Sequence, residues 1–160
     1  MEGLRDLLEE AGFDDVRTYL QSGNVVLSGP KKAEEVARTC RRAIAERLGL
    51  DLEVVVRTRA ELARVVKRDP LGEVATNPKR YQVSFLAAKP TRAVVRKLEA
   101  AAVEPERVVA SGREIYAWHP EGVARSKLWA LLAGHGLGVV ATSRNWTTVT
   151  KLLELAEEPT

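Results

Sequence analysis

The chain has 160 residues, 45% of them hydrophobic and 29% charged, with a formal net charge of +3 and a single cysteine. That is the profile of one soluble domain, long enough to bury about 68–70% of its unfolded surface without a disulfide or a structural metal. No run approaches the roughly 18 consecutive apolar residues of a membrane span. Met1-Glu2-Gly3-Leu4-Arg5-Asp6 opens amphipathically where a signal peptide would carry an apolar stretch, so a cytoplasmic location with no membrane partner is expected. The pI of about 9.2 invites a nucleic-acid reading, but 25 Lys and Arg stand against 22 Asp and Glu. Glu34-Glu35 with Arg38, and Arg41-Arg42 with Glu46, read as solvated helix faces.

Leu4, Leu7, Leu8 and Ala11 recur at helical spacing before Gly12, which predicts a first helix over about residues 2–11. Val16–Leu20 and Asn24–Leu27 read as strands joined into a hairpin through Ser22-Gly23. Ala33, Val36, Ala37, Cys40, Ile44 and Leu48 form one stripe of a long helix stopped at Gly49. Leu52–Val56 is expected to be a strand. Thr58 with Glu61 three residues on is a capping box for a helix that buries Leu62, Val65 and Val66. Residues 69–80, with two prolines and a glycine, form a connecting loop.

The order then begins again. Tyr81–Ala87 is a predicted strand, Thr91–Ala102 a helix, Arg107–Ser111 and Glu114–Trp118 a hairpin, Ser126–Ala133 a helix, Val139–Ala141 a short strand and Thr147–Glu157 a last helix. The segments 1–68 and 81–160 therefore share one order of elements, and Ser22-Gly23 matches Ser111-Gly112 at the hairpin turn. The expected architecture is α+β: two duplicated ferredoxin-like units, each a split β-α-β, packed as one domain. A single unrelated α+β sheet whose halves match by chance is the alternative. If the duplication holds, the first unit lacks the counterpart of the strand at Tyr81–Ala87, and an exposed sheet edge or gap should result.

Two segments, Thr18-Tyr19-Leu20-Gln21-Ser22-Gly23-Asn24-Val25-Val26 and Thr142-Ser143-Arg144-Asn145-Trp146-Thr147-Thr148-Val149-Thr150-Lys151-Leu152, carry a further signal together with Gly122-Val123-Ala124-Arg125-Ser126-Lys127-Leu128. In combination they resemble the uncharacterised, mainly bacterial family of domain of unknown function 1697, over nearly the whole chain. Members of that family usually open with a strand and a Gly- and Asn-containing loop carrying an Arg, followed by a Met just before the first helix. The resemblance implies that Met1 is that Met, and that the chain starts late or is truncated. It implies no reaction.

The residues themselves show no ordinary catalytic constellation. His119 and His135 stand 16 apart without a Cys or second His at ligand spacing, so no metal and no cofactor is expected, and both are read as solvent-facing. Cys40 lies on an apolar stripe, where a buried, unreactive thiol is the expectation. Glycine-rich phosphate loops and Gly-x-Ser-x-Gly are absent from the sequence.

Cations before two helices remain. Arg125-Ser126-Lys127 and Ser143-Arg144-Asn145 each precede a helix start, where free amides and the dipole favour an anion and disfavour Lys or Arg. A phosphate or carboxylate held there would remove the conflict. Ser143 or Asn145 acting as an ordinary N-cap is the plainer explanation. The candidate binding residues are Asn24, Arg125, Ser126, Lys127, Arg144, Asn145 and Lys151. Trp146 falls on an apolar helix face and is core or a stacking platform, and Tyr116 with Trp118 shares one strand face as core or as a base-stacking pair. The expected function is a binding module for a small anionic ligand. The alternatives are an enzyme using Ser126 or Lys127 with Arg144 stabilising charge, a binder of single-stranded nucleic acid, and a purely structural interaction domain. Oligomeric state is not readable from the sequence.

Overall fold

A computed structural model describes residues 2–19, 23–134 and 136–158. Leu20, Gln21 and Ser22, which carry part of the expected hairpin turn, and His135 lie outside the described residues. The described chain is mixed α+β, with six helices and two antiparallel sheets. It divides into two compact units, residues 1–62 with 151–160, and residues 63–150. The division runs through two helices, and the loop at 69–80 falls wholly within the second unit.

In the first unit, α1 (Glu2–Glu10) leads into β1 (Asp14–Tyr19), which pairs antiparallel with β2 (Asn24–Ser28) and is followed by α2 (Ala33–Leu48). The 3.6-residue spacing of Leu4, Leu7 and Leu8 on α1 and of Val36, Cys40 and Ile44 on α2 puts all six in one core with Phe13 and Val16. Gly49 ends α2 at φ 66°, a left-handed position that costs glycine nothing, and its N–H reaches the Ala45 carbonyl at 3.0 Å. The β1–β2 ladder shifts register between Asp14 and Arg17, where Asp15 takes φ 49°.

The expected strand at Leu52–Val56 is not formed. Residues 51–58 hold no regular structure, although Val54 and Val56 pack on the core while Leu50 and Leu52 remain about half exposed. Alternation places side chains in or out, but a strand also needs a neighbour for its backbone N–H and C=O groups.

The helix α3 (Arg59–Arg68) starts on the predicted capping box: Thr58 N–H donates to Glu61 Oε1 at 2.8 Å and Glu61 N–H to Thr58 Oγ1 at 3.1 Å. The second unit then runs β3 (Tyr81–Leu86), α4 (Arg92–Ala101), β4 (Arg107–Ser111), β5 (Glu114–Trp118), α5 (Lys127–Ala133), β6 (Ala141–Asn145) and the start of α6 (Trp146–Glu157). Its sheet has the order β4-β5-β3-β6 with every pair antiparallel. Gly112, at φ 61°, makes the tight β4–β5 connection. One face of the sheet carries Leu86, Ile115 and Ala117 against Leu98 of α4 and Leu128 and Leu132 of α5. By the period of two, Tyr81, Val83, Phe85, Tyr116 and Trp118 belong to the other face, where the Tyr116 hydroxyl donates to the Val65 carbonyl of α3 at 2.9 Å.

The sixth strand lies later than the apolar run Val139–Ala141 predicts. It is built from Thr142, Ser143, Arg144 and Asn145, polar residues read from sequence as the approach to a helix. An edge strand with one neighbour tolerates them, and inward-facing Ser143 is matched by Ser84, with the two hydroxyl oxygens 2.6 Å apart.

Candidate functional site

At the β6–α6 junction the strand passes directly into the helix. The Trp146 N–H bonds to the Pro78 carbonyl at 3.1 Å, and the Asn145 Oδ1 accepts from the Thr148 N–H at 2.9 Å. Asn145 is therefore the N-cap of α6. Trp146 stacks on Tyr81 with ring centroids 4.7 Å apart and planes 21° from parallel. The Tyr81 hydroxyl donates to Asp69 Oδ1 at 2.9 Å and accepts from the Leu71 N–H at 3.3 Å. Burial, together with the bond to Asp69, pushes that phenol well above its ordinary pKa. Tyr116 and Trp118 are buried, so neither offers a face for a base to stack on.

Arg144 lies on the sheet face opposite α5, since it pairs with Val83 while Ser143 pairs with Ser84. Its Nη1 donates to Thr142 Oγ1 at 2.5 Å and to the Ser143 carbonyl at 2.8 Å. The guanidinium is half-buried, and withdrawal from water lowers its pKa from the usual arginine value.

Two of the other candidate cations stand elsewhere in the second unit. Arg125 and Lys127 are exposed on either side of Ser126, which caps α5 by accepting from the Trp129 N–H at 3.0 Å. Ser126 Oγ also donates to Glu106 Oε2 at 2.6 Å, and the same carboxylate oxygen lies 2.8 Å from Nδ1 of His119. Asn24 and Lys151 belong to the first unit. Asn24 opens β2 with its Nδ2 donating to the Tyr19 carbonyl at 3.2 Å, and Lys151 is half-buried on α6. Within the second unit, then, Arg125, Ser126 and Lys127 form one group, while Arg144 is on the other face of the sheet from Asn145.

His119 is fully buried, which corrects the expectation of a solvent-facing residue; His135 lies outside the described residues. The physical reason was readable. Extending the alternation of Ile115 and Ala117 by one step puts residue 119 on the core face of β5. Glu106, its partner, carries no sequence signal of its own. Ser126, His119 and Glu106 are the residue types of a hydrolytic triad, but their arrangement is a brace. The serine proton is directed to the carboxylate, Ser126 Oγ lies 3.5 Å from the Nδ1 that already faces Glu106, and Nε2 is buried without a partner. The His119 ring meets Trp129 edge to face at 5.7 Å. Burial works to raise the Glu106 pKa, yet the bonds from Ser126, His119 and the Val103 N–H outweigh it and hold the carboxyl below its ordinary value.

Among the described residues, no group of three or more His, Cys, Asp and Glu could hold a metal ion, and no helix is long and apolar enough to cross a membrane. Cys40 is buried on its stripe as expected, and desolvation pushes its thiol up to about 11 against the opposing charge of Lys31.

In comparison with solved structures, the chain is similar to the conserved bacterial protein SP0830 from Streptococcus pneumoniae, with a TM-score of 0.76 over 98% of this chain and 88% of that one, at 15% identity. Likeness at that identity is a likeness of fold. No curated protein matches the chain at a significant level. The family model described as protein of unknown function (DUF1697) matches residues 1–116, well over half of the sequence and including the segment 19–26, and the chain belongs to that family.

Proposed function

We propose that the protein is a cytoplasmic binding module for a small phosphate- or carboxylate-bearing ligand, and that Arg144 receives the anion. The observation that carries this reading is the half-buried Arg144 guanidinium, oriented by Thr142 and the Ser143 carbonyl, whose charge is disfavoured by its withdrawal from water. An anion beside the guanidinium would restore the lost stabilisation, and the planar fork of arginine suits two oxygens of one phosphate or carboxylate. The same reading takes the two units as duplicated ferredoxin-like units. The order β-α-β-β-α-β with strands arranged β4-β5-β3-β6 supports it in the second, and the order α1-β1-β2-α2 supports it in the first.

Thermal unfolding in rising inorganic phosphate or citrate tests the ligand. Binding to the folded state alone stabilises by RT ln(1 + [L]/Kd), about 2.7 kcal/mol at a hundredfold excess over Kd. The wild type should show a rising Tm, Arg144→Ala none, and Arg144→Lys a smaller rise because a point charge cannot fork. Equal shifts in wild type and Arg144→Ala, or no shift in either, would overturn the assignment.

A further inference from the structure

The net charge of +3 conceals a division between the two units. Residues 63–150 hold fourteen Lys and Arg against seven Asp and Glu, a net +7, whereas residues 1–62 with 151–160 hold eleven against fifteen, a net −4. In the acidic unit arginines are spent on carboxylates: Arg5 on Glu9, Arg17 on Asp15 and Glu158, Arg41 on Asp51 and Glu53, Arg47 on Glu10. In the basic unit most cations face water, and five of them come to one end of the sheet.

The register shows how. Tyr81, Trp118 and Arg107 lie side by side across β3, β5 and β4, so the start of β3, the end of β5 and the start of β4 share that end. The His119 N–H donates to the Arg80 carbonyl at 3.0 Å, and the Arg80 guanidinium bonds to the Pro120 carbonyl. The 2.6 Å bond from Ser126 to Glu106 draws the segment before α5 to the same place. Lys79, Arg80, Arg107, Arg125 and Lys127 are all exposed there, with Glu104 and Glu121 as the exposed acids and Glu106 engaged by Ser126 and His119.

We propose that this end of the second unit grips the phosphate backbone of a nucleic-acid strand, with Arg107, Arg125 and Lys127 as its principal contacts. Exposed cations from three separate segments match the repeating negative charge of such a strand, and counterion release from it drives binding. The sheet aromatics Tyr81, Tyr116 and Trp118 are buried, so base stacking is not offered and the contact is blind to sequence. Arg107, Arg125 and Lys127 are different residues from Arg144, and either assignment can fail without the other.

The test is fluorescence anisotropy of a labelled mixed-sequence oligoribonucleotide with the full chain, between about 50 and 200 mM salt. At roughly −0.7 per neutralised phosphate, three to five contacts give a slope of log Kobs against log salt of about −2 to −3.5. Reversal of Arg107, Arg125 and Lys127 to Glu should flatten the slope by about 2 and lower affinity by at least tenfold at the low-salt end. Reversal of the exposed Arg38, Arg42 and Arg59 to Glu in the first unit should leave both nearly unchanged. If the reversed second unit melts early, Arg107→Gln, Arg125→Gln and Lys127→Gln together make the same measurement with less perturbation. The proposal is overturned by unchanged binding in both second-unit sets, by equal loss in the first-unit set, or by polyglutamate of equal charge competing as well as the RNA.

Discussion

Glu106 illustrates how one carboxylate can organise three segments of chain. It accepts from Ser126 and His119 through Oε2 and from the Val103 N–H through Oε1 at 3.2 Å. Because its folded pKa lies below the ordinary 4.5, the stability it contributes is complete above that value and is lost as pH falls through the folded one. Urea midpoints measured from pH 7 down to pH 3 should therefore show Glu106→Gln less stable than wild type by a constant margin above about pH 4.5, with the margin shrinking below it. A margin that did not depend on pH would mean that the ionised form is not what the brace requires. Ser126→Ala removes the α5 cap as well as a donor to Glu106, and should cost about 1 kcal/mol or more by the usual scale of capping residues. His119 was misplaced because the absence of a ligand partner at metal spacing was equated with exposure to solvent. The period of two along Ile115, Ala117 and residue 119 was the better guide.

At the scale of elements, the strands and helices legible in the sequence were those whose apolar spacing coincides with their own neighbours. The helices α1, α2 and α3, the β4–β5 hairpin and β3 follow this rule. Leu52–Val56 and β6 failed in opposite directions: the first has the pattern of a strand without a partner, and the second has a partner without the pattern. What fixes β6 is polar matching. Ser84 is fully buried, and Ser143 meets it across the ladder. Removing one hydroxyl leaves the other unsatisfied, so Ser143→Ala should destabilise by about 1–3 kcal/mol. The double change Ser84→Ala with Ser143→Ala should cost less than the sum of the two single changes, as a double-mutant cycle in denaturant would show. Additive losses would mean that the two serines find other partners. Of the candidate site, the capping role of Asn145 was legible because Asn is a preferred N-cap; the opposite facing of Arg144 was not, because the strand itself went unrecognised.

For the whole molecule, family membership was legible from the Gln-Ser-Gly-Asn segment, which lies within the matched residues 1–116, whereas the Arg-Asn-Trp segment lies beyond them and the distribution of charge was not legible at all. A sum over 160 residues gives +3 and discourages any polyanion, but the sum is taken over two bodies of opposite sign. Only the division of the chain into units separates them. The first unit holds the single thiol of the protein, Cys40, on the buried side of α2 with Leu7, Leu8 and Ile44 in the same core. At a pKa of about 11 and without exposure, it reacts only when that core parts. Its labelling by a disulfide reagent at pH 8 should be slow in wild type and accelerated by Leu8→Ala, which loosens the same packing; equal rates would mean that the thiol is reached without opening. A chain with one cysteine so placed carries its own clock, and each modified molecule records one excursion of the first unit away from its folded state.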